Sequence, residues 1–222
     1  YGNDGHFVEV WMDGAKGSGS DAQEYDFELW YDTIQSYEGE AAGYEADCML
    51  FGAGAYTTVR WIGNENGYAD KNTWSKSIVD YETNSIDSND TGSYTVGYED
   101  GNQWTVPEAD ARITSGWFWG TTKNTPKSIS DLASMYFGPI GNNATLLLNV
   151  PPNDEGTVDQ EILDRVAEFG QNIEETFDDN LAADEGASAK ADNVRGSDTA
   201  FQPGNTADGD DSTYWTTDDG TN

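Results

Sequence analysis

The sequence predicts an α/β fold with parallel strands, as in a (β/α) barrel. Short apolar runs rich in β-branched and aromatic residues are typical of buried strands, and they lie at residues 7–12, 48–51 and 145–150. Stretches with apolar residues at helical spacing lie at residues 22–37, 128–137 and 157–177. The alternation of strand, loop and helix is that of a parallel sheet covered by helices.

The first strand organises this prediction. Only Glu9 interrupts the apolar residues of the run at 7–12, which predicts a strand buried on both faces. The run ends in Asp13, and ligands bind at the carboxyl ends of parallel strands. Asp13, beside the indole of Trp11, is therefore a candidate catalytic group in a sugar pocket. The alternative is an aspartate that ends the strand and caps the next loop.

The next two elements continue the alternation. The predicted helix at residues 22–37 has Tyr25, Leu29 and Ile34 on its apolar face. The strand at residues 48–51 begins with the single cysteine, which is expected to be an inert buried thiol. A short strand at Val59 then runs into the polar turn that holds Glu65.

The middle of the chain is less regular. Residues 70–108 are polar and rich in turn residues, which indicates an active-site loop or a partly disordered insertion. Residues 111–119 restore a strand pattern that ends in aromatic residues. The helix at 128–137 and the buried strand at 145–150 follow.

The chain is predicted to have three segments. Residues 1–180 form part of a catalytic barrel and end in a long amphipathic helix. Residues 181–190 are small and acidic, as in a linker. Residues 191–222 differ in composition and are interpreted as the start of a β-rich second domain that the chain does not complete.

The chain is strongly acidic, with 42 Asp and Glu against 10 Lys and Arg and a net charge of −32. Disorder is one interpretation, but eight Trp, twelve Tyr and eight Phe favour a folded chain. The preferred interpretation is a halophile's protein, whose carboxylate-coated surface is screened by concentrated salt. Such a surface repels nucleic acid and anionic lipid, and no run approaches the roughly 20 apolar residues of a membrane span.

Two carboxylates stand out by their positions after strands, Asp13 and Glu65. Glycosidases need such a pair, one to attack or to activate water and one to protonate the leaving oxygen. Four indoles would suit the apolar face of a sugar and are predicted to bind substrate: Trp11, Trp61, Trp117 and Trp119. No metal or cofactor is expected in this chemistry.

Several motifs resemble those of a known family. In chain order they are Tyr1-Gly2, Glu9-Val-Trp-Met-Asp-Gly-Ala15, Arg60-Trp-Ile-Gly-Asn-Glu-Asn-Gly67, Ser115-Gly-Trp-Phe-Trp119, Lys127-Ser128 and Asn143-Ala-Thr-Leu-Leu-Leu-Asn-Val-Pro-Pro152. Together they are similar to glycoside hydrolase family 29, the α-L-fucosidases, over about residues 1–180. The resemblance implies the C-terminal portion of a (β/α)8-like (TIM) barrel that hydrolyses α-L-fucosides with retention.

The resemblance also implies roles for individual residues. Asp13 matches the nucleophile, in the pattern Trp-x-Asp-Gly. Glu65 matches the acid/base of the branch that is similar to the α-1,3/1,4-fucosidases. Trp11 and Trp117 match positions that line the fucose pocket.

The chain departs from the family at two points. The half-barrel that carries the fucose-gripping histidines is absent, and His6, the only histidine, does not match them. Thr114-Ser115-Gly116 stands where many members have Arg-Pro-Gly. Because an isolated half-barrel exposes strand edges, the chain is expected to be an inactive fragment on its own.

Residues 208–215 resemble the first strands of a discoidin-like (F5/8 type C) carbohydrate-binding module, a β-sandwich that accompanies secreted fucosidases. The expected partner is a fucosylated glycan, and the expected location is outside the cell or on its surface. Two other functions stay open: a lectin-like barrel that binds glycans without cutting them, and a surface-layer or adhesion protein of a halophile.

Overall fold

A computed structural model describes residues 7–13, 18–42, 48–120, 124–179, 181–182, 187–210 and 212–220. His6, residues 1–2, residues 14–15 and Asp211, which the sequence analysis used, lie outside these ranges. The chain divides into two compact units, Tyr1–Val166 and Ala167–Asn222.

Parallel strands form the main sheet of the first unit. The strands of the described residues are β1 (Glu9–Trp11), β2 (Met49–Phe51), β3 (Val59–Trp61), β4 (Lys76–Asp80), β5 (Ser85–Asp87), β6 (Gln103–Trp104), β7 (Val106–Arg112) and β8 (Thr145–Asn149). The α-helices are α1 (Phe27–Ala42), α2 (Ile129–Ile140) and α3 (Gln160–Asp178). Five strands lie side by side in the order β1-β2-β3-β7-β8, and every pair is parallel. This arrangement fits the predicted partial barrel.

The main sheet is strongly curved. In a flat sheet β1 and β7 would be about 14 Å apart, three spacings of about 4.8 Å. The indole Nε1 of Trp11 on β1 nevertheless donates a 2.7 Å hydrogen bond to Glu108 on β7. Only a concave surface brings these side chains together, as in a barrel. We call it the concave face; its members include Glu9, Trp11, Phe51, Trp61, Glu108 and Asp110.

Helix α1 covers the other side of β1 and β2. It begins at Phe27 rather than near residue 22, because Asp26 Oδ1 accepts a 3.0 Å hydrogen bond from the Leu29 N–H at the helix start. Its core-facing residues are Phe27, Tyr31 and Ile34. Leu29, predicted on this face, is 57% exposed.

Helix α2 matches its prediction closely. Ser128 Oγ accepts a 3.1 Å hydrogen bond from the Asp131 N–H and caps the helix. The side chain of Leu132, on this helix, is fully buried. The helix continues to Ile140, three residues beyond the predicted end. A cluster of buried residues joins β3, β7 and the segment before β8: Ile62, Ala69, Ala109 and Ala144.

Residues 70–108 were predicted to be irregular, but they contain a small antiparallel sheet in the order β5-β4-β6. Asn84, with φ of 49°, turns the chain between β4 and β5. Its side chain also accepts a 2.9 Å hydrogen bond from the Ala55 N–H. The prediction failed because these strands are short, and their many polar side chains bond within the sheet and its turns.

Strand β7 lies at Val106–Arg112, whereas the strand was predicted at residues 111–119. Alanines at 109 and 111 face the helices, and the two acids Glu108 and Asp110 face the concave side. Buried acids hide such a strand from a search for apolar runs. Residues 113–120 instead form the loop that carries the tryptophans at its end.

Strands β1 and β8 are the edges of the main sheet, so the prediction that they are fully buried is wrong. Val8, which belongs to the predicted run and directly precedes β1, is 85% exposed, and Leu147 on β8 is 39% exposed. Cys48, in contrast, is buried as predicted. Among the helices in the described ranges, none is long and apolar enough to cross a membrane.

The second unit contains the C-terminal part of α3, followed by a segment built from turns. From residue 187 onward, its described residues form the 3-10 helices Arg195–Ser197, Thr199–Phe201 and Pro203–Thr206 and no strand, so the predicted β-rich character is not seen there. Arg195 closes this segment: its N–H donates to the Thr216 carbonyl at 2.9 Å and its guanidinium pairs with Asp219. That the segment starts a carbohydrate-binding module stays a prediction.

Candidate active site

Asp13 is exposed immediately beyond the carboxyl end of β1. The Met12 N–H donates to the Phe51 carbonyl at 3.1 Å, which ties the ends of β1 and β2 together just before this carboxylate. The structure therefore places Asp13 where a parallel α/β sheet presents its functional groups.

Glu65 lies in the exposed turn after β3. Asn64 fixes this turn, because its Oδ1 accepts a 3.0 Å hydrogen bond from the Asn66 N–H. Trp117 Nε1 donates to Glu65 Oε2 at 3.2 Å, and the Arg112 guanidinium lies 5.1 Å from the centre of the Trp117 ring. Glu65 and one predicted sugar-binding indole thus meet directly.

The two candidate carboxylates lie at the same end of the main sheet, where the carboxyl ends of its parallel strands meet. Strands β1 and β3 are parallel and only β2 lies between them, so their axes are about 10 Å apart. Asp13 and Glu65 therefore do not face opposite ends of the sheet. Their roles as nucleophile and acid/base stay predictions.

Trp11 and Trp61 lie on the concave face, and each is bonded to a buried acid. Trp11 Nε1 donates to Glu108 Oε1 at 2.7 Å, and Trp61 Nε1 donates to Asp110 Oδ1 at 2.7 Å. Trp11 also stacks on Phe51, with 3.8 Å between ring centroids. Sequence reasoning missed both acids, because a search for apolar runs does not recognise a strand that carries charged residues.

Trp119 is held by different partners. Its Nε1 donates to Asp159 Oδ2 at 2.8 Å, and Asn153 Nδ2 donates to the other carboxylate oxygen at 3.0 Å. Hydrogen bonds from Asn153 and Trp119 lower the pKa of Asp159. Trp119 therefore braces the turn before α3, and its assignment to sugar binding stays a prediction.

A groove of about 780 Å³ opens beside Asp13. Three aromatic side chains that pack on one another line it, with ring centroids 5.3–5.7 Å apart: Tyr25, Phe27 and Trp30. Aromatic surfaces with a few polar groups are common in binding pockets. Sequence reasoning missed this groove, because it assigned Tyr25 to the apolar face of a helix that begins two residues later.

A second groove, of about 920 Å³, borders the Glu65 turn. Asn64, Asn66, Tyr68 and Tyr94 contribute to its walls. Lys127, which also borders it, donates from Nζ to the Thr114 carbonyl at 2.8 Å and so ties the loop after β7 to the start of α2.

Three acids are at least partly buried on the concave face. Burial raises the pKa of Glu9 to about 7, with a smaller effect from the charge of Glu108. Burial also raises the pKa of Glu108 and of Asp110, although their bonds from indole N–H groups oppose this. Within the described ranges, Glu9 Oε1 is buried without a hydrogen-bond partner, and no cluster of three His, Cys, Asp or Glu side chains could hold a metal.

We expect Glu9 to make stability depend on pH. Its folded-state pKa of about 7 lies above the ordinary 4.5, so its stabilising effect is complete below pH 4.5 and is lost as the pH rises to about 7. After discounting for solvent screening, the loss is about 1–2 kcal/mol. Denaturant unfolding of the wild type and of Glu9→Gln from pH 4.5 to 8 measures it. Identical pH dependence in the two proteins would contradict this role of Glu9.

Gly52 holds the end of β2 close to Asp13. With φ of +74°, a Cβ at this position would lie 2.5 Å from the carbonyl oxygen of Met12, the residue before Asp13. We expect Gly52→Ala to lower the free energy of unfolding by about 2–4 kcal/mol, measured by denaturant unfolding.

Gly156→Ala is the matched control for this substitution. Gly156 has nearly the same φ, +76°, and a Cβ there would meet no atom within 4 Å. Gly156→Ala should therefore lower the free energy of unfolding by only about 1–2 kcal/mol, the penalty of a left-handed backbone conformation at a residue other than glycine. Equal losses in the two variants would show that the contact with Met12 is unimportant.

Known proteins resemble this chain over nearly its whole length, although no protein-family model matches it. A glycoside hydrolase family 29 fucosidase from Ruminococcus gnavus, solved in complex with fucose, is 69% identical with a TM-score of 0.89; the match covers 100% of this chain and 44% of that one. Alpha-L-fucosidase 1 from Arabidopsis thaliana is 33% identical over 215 residues, 95% of this chain and 39% of the relative. Putative alpha-L-fucosidase 1 from Oryza sativa subsp. japonica is 32% identical over 218 residues, 97% of this chain and 40% of the relative.

These matches agree in both sequence and fold. The chain spans about two fifths of the length of the relatives from plants and 44% of the bacterial one. The fold it shares with the bacterial enzyme includes the parallel strands that carry Asp13 and Glu65. The chain is therefore a relative of the glycoside hydrolase family 29 α-L-fucosidases, matched over less than half of their length.

Proposed function

We propose that this chain is part of the catalytic domain of an α-L-fucosidase, which removes terminal α-L-fucose from glycans with retention. The observation that carries the proposal is the pair Asp13 and Glu65 at one edge of a sheet in a fold that matches a fucosidase at 69% identity. The aromatic groove beside Asp13 supports a sugar ligand.

The proposed reaction has two steps. In the first, the Asp13 carboxylate attacks the anomeric carbon while the bond from that carbon to the leaving oxygen breaks. Glu65, protonated, gives its proton to the leaving oxygen, and the defucosylated glycan departs. In the second, Glu65 takes a proton from water, whose oxygen displaces Asp13 and releases fucose with its original anomeric configuration.

The chain alone is proposed to be inactive. It carries two of the functional groups, Asp13 and Glu65, but its concave face is open. To test this, the chain replaces the matching 44% of the bacterial fucosidase, and we call the resulting hybrid protein the completed enzyme. This completed enzyme should hydrolyse 4-nitrophenyl α-L-fucoside and release α-L-fucose first, as seen by proton NMR. Fucose binding without turnover would favour the lectin-like alternative. The absence of both fucose binding and turnover would favour an adhesion protein.

The finer assignments are also proposals. The turn that holds Glu65 supports a preference for α-1,3/1,4 linkages, which fucosylated oligosaccharides with defined linkages would test. Residues 191–222 are proposed to start a carbohydrate-binding module of a secreted or cell-surface enzyme. The net charge of −32 supports salt adaptation, so the completed enzyme should be compared in dilute buffer and in molar salt.

A further inference from the structure

We propose that Glu108 and Asp110 are positioning residues, which fix the two strands that carry the proposed catalytic carboxylates. This inference rests on the proposed function. Both acids lie on β7, two residues apart, and each accepts a 2.7 Å hydrogen bond from an indole of another strand. We call these two contacts the indole clamps.

The indole clamps reach the strands that matter for the reaction. Trp11 stands two residues before Asp13 on the first strand, and Trp61 stands four residues before Glu65 on the third. Strand β7 is next to β3 but is separated from β1 by two strands. The clamp from Glu108 to Trp11 therefore crosses the concave face and adds a constraint that backbone pairing does not supply.

Stability alone does not explain two acids at these positions. Glu108 and Asp110 are only 6% and 8% exposed, and burying a carboxylate costs free energy that a buried apolar side chain does not. A carboxylate is, however, a strong and directional acceptor for an N–H group. The acids therefore supply orientation, which a leucine of similar size would not.

Asp110 also belongs to the surroundings of Glu65. It is close enough to Glu65 and Arg112 for their charges to act on it. Arg112 lies over the Trp117 ring, and Trp117 donates to Glu65. A shift of β3 relative to β7 would thus change both the indole clamp at Trp61 and the position of Glu65.

The test compares two kinds of variant in the completed enzyme. Glu108→Ala and Asp110→Ala remove the acceptor, and each should lower kcat roughly 100-fold with KM changed less than about threefold, since a misplacement of about 1 Å has such an effect. Glu108→Gln and Asp110→Asn keep a carbonyl oxygen as acceptor and should retain kcat within about fivefold of the wild type. This rescue separates a positioning role from a need for charge.

Asp87→Ala is the matched control. Asp87 Oδ2, on β5 of the small antiparallel sheet, accepts a 2.8 Å hydrogen bond from the Tyr98 hydroxyl, so the variant also breaks a contact between a carboxylate and an aromatic side chain. It should leave kcat and KM unchanged. Indole N–H signals, recorded by NMR with ¹⁵N-labelled tryptophan and assigned with Trp11→Phe and Trp61→Phe, report the clamps without any turnover.

The outcomes separate the two proposals. Folded alanine variants with wild-type kcat would overturn the positioning role, and so would amide variants as impaired as the alanine variants. If the alanine variants do not fold, the amide variants and the wild-type indole signals decide: fast-exchanging indole protons for Trp11 and Trp61 would overturn the clamps. A wild type that does not turn over would contradict the proposed function, while the indole signals would still test the clamps.

Discussion

Asp13→Gly in the completed enzyme should lower kcat for 4-nitrophenyl α-L-fucoside by ~10⁴-fold or more, because no fucosyl-enzyme can form without the nucleophile. The loss should not come from unfolding, since Asp13 is exposed and lies beyond the end of β1. Steady-state hydrolysis measures the effect. Asp100→Gly, which removes an exposed acid from the turn before β6 of the small antiparallel sheet, is the control and should leave kcat unchanged.

Azide gives this prediction a chemical signature. In Asp13→Gly the space of the lost carboxylate can admit azide, whose nitrogen attacks the anomeric carbon directly and displaces the aryloxide. One displacement inverts the anomeric centre, so the product should be β-L-fucosyl azide. Undiminished hydrolysis by the variant, or an azide product of α configuration, would show that Asp13 is not the nucleophile.

The positions of the two candidate carboxylates could be predicted from the sequence, because each lies shortly after a predicted strand. Asp13 ends an apolar run, and Glu65 stands in a glycine-flanked turn, so both could be placed at a strand end. Parallel pairing then brings them to one edge without further information. Their distance along the chain, in contrast, says nothing about their separation in space.

The acids of β7 could not be predicted in the same way. Glu108 and Asp110 have the composition of a solvated surface. Trp61 lies on the strand next to β7, but only the curvature of the sheet brings Glu108 to Trp11, which is two strands further away. Curvature arises from the twist of many strands together and has no local pattern in sequence. The strand was therefore placed at 111–119, where the apolar and aromatic residues are.

The aromatic groove shows a second limit. Tyr25 was assigned to the apolar face of a helix predicted to start at about residue 22, and Phe27 and Trp30, which lie within that predicted helix, were assigned no role. The Asp26 cap delays the helix and leaves Tyr25 outside it, free to pack against Trp30. A cap is a single side-chain contact, and aspartate is too common in this acidic chain for the signal to be clear.

Glu65→Gln should lower kcat/KM for a fucosylated oligosaccharide by roughly 10²–10⁴-fold, because an amide cannot protonate the departing sugar oxygen. An aryl fucoside with a very acidic phenol needs no such proton, so its first step should be nearly unchanged. Glutamine keeps an oxygen that can accept the bond from Trp117, so the difference between substrates reports proton transfer rather than a displaced turn. Stopped-flow release of the phenol measures the first step.

Glu65→Ala extends the test to the second step. On the aryl fucoside the variant should accumulate the fucosyl-enzyme, because water is no longer activated by a base. Azide needs no base, so it should displace Asp13 from the anomeric carbon and release α-L-fucosyl azide, the configuration opposite to that expected from Asp13→Gly. If both variants gave the same azide product, or if Glu65→Gln slowed both substrates equally, Glu65 would not be the acid/base. The two carboxylates are thus assigned by stereochemistry, independently of how far apart they lie in the unliganded protein.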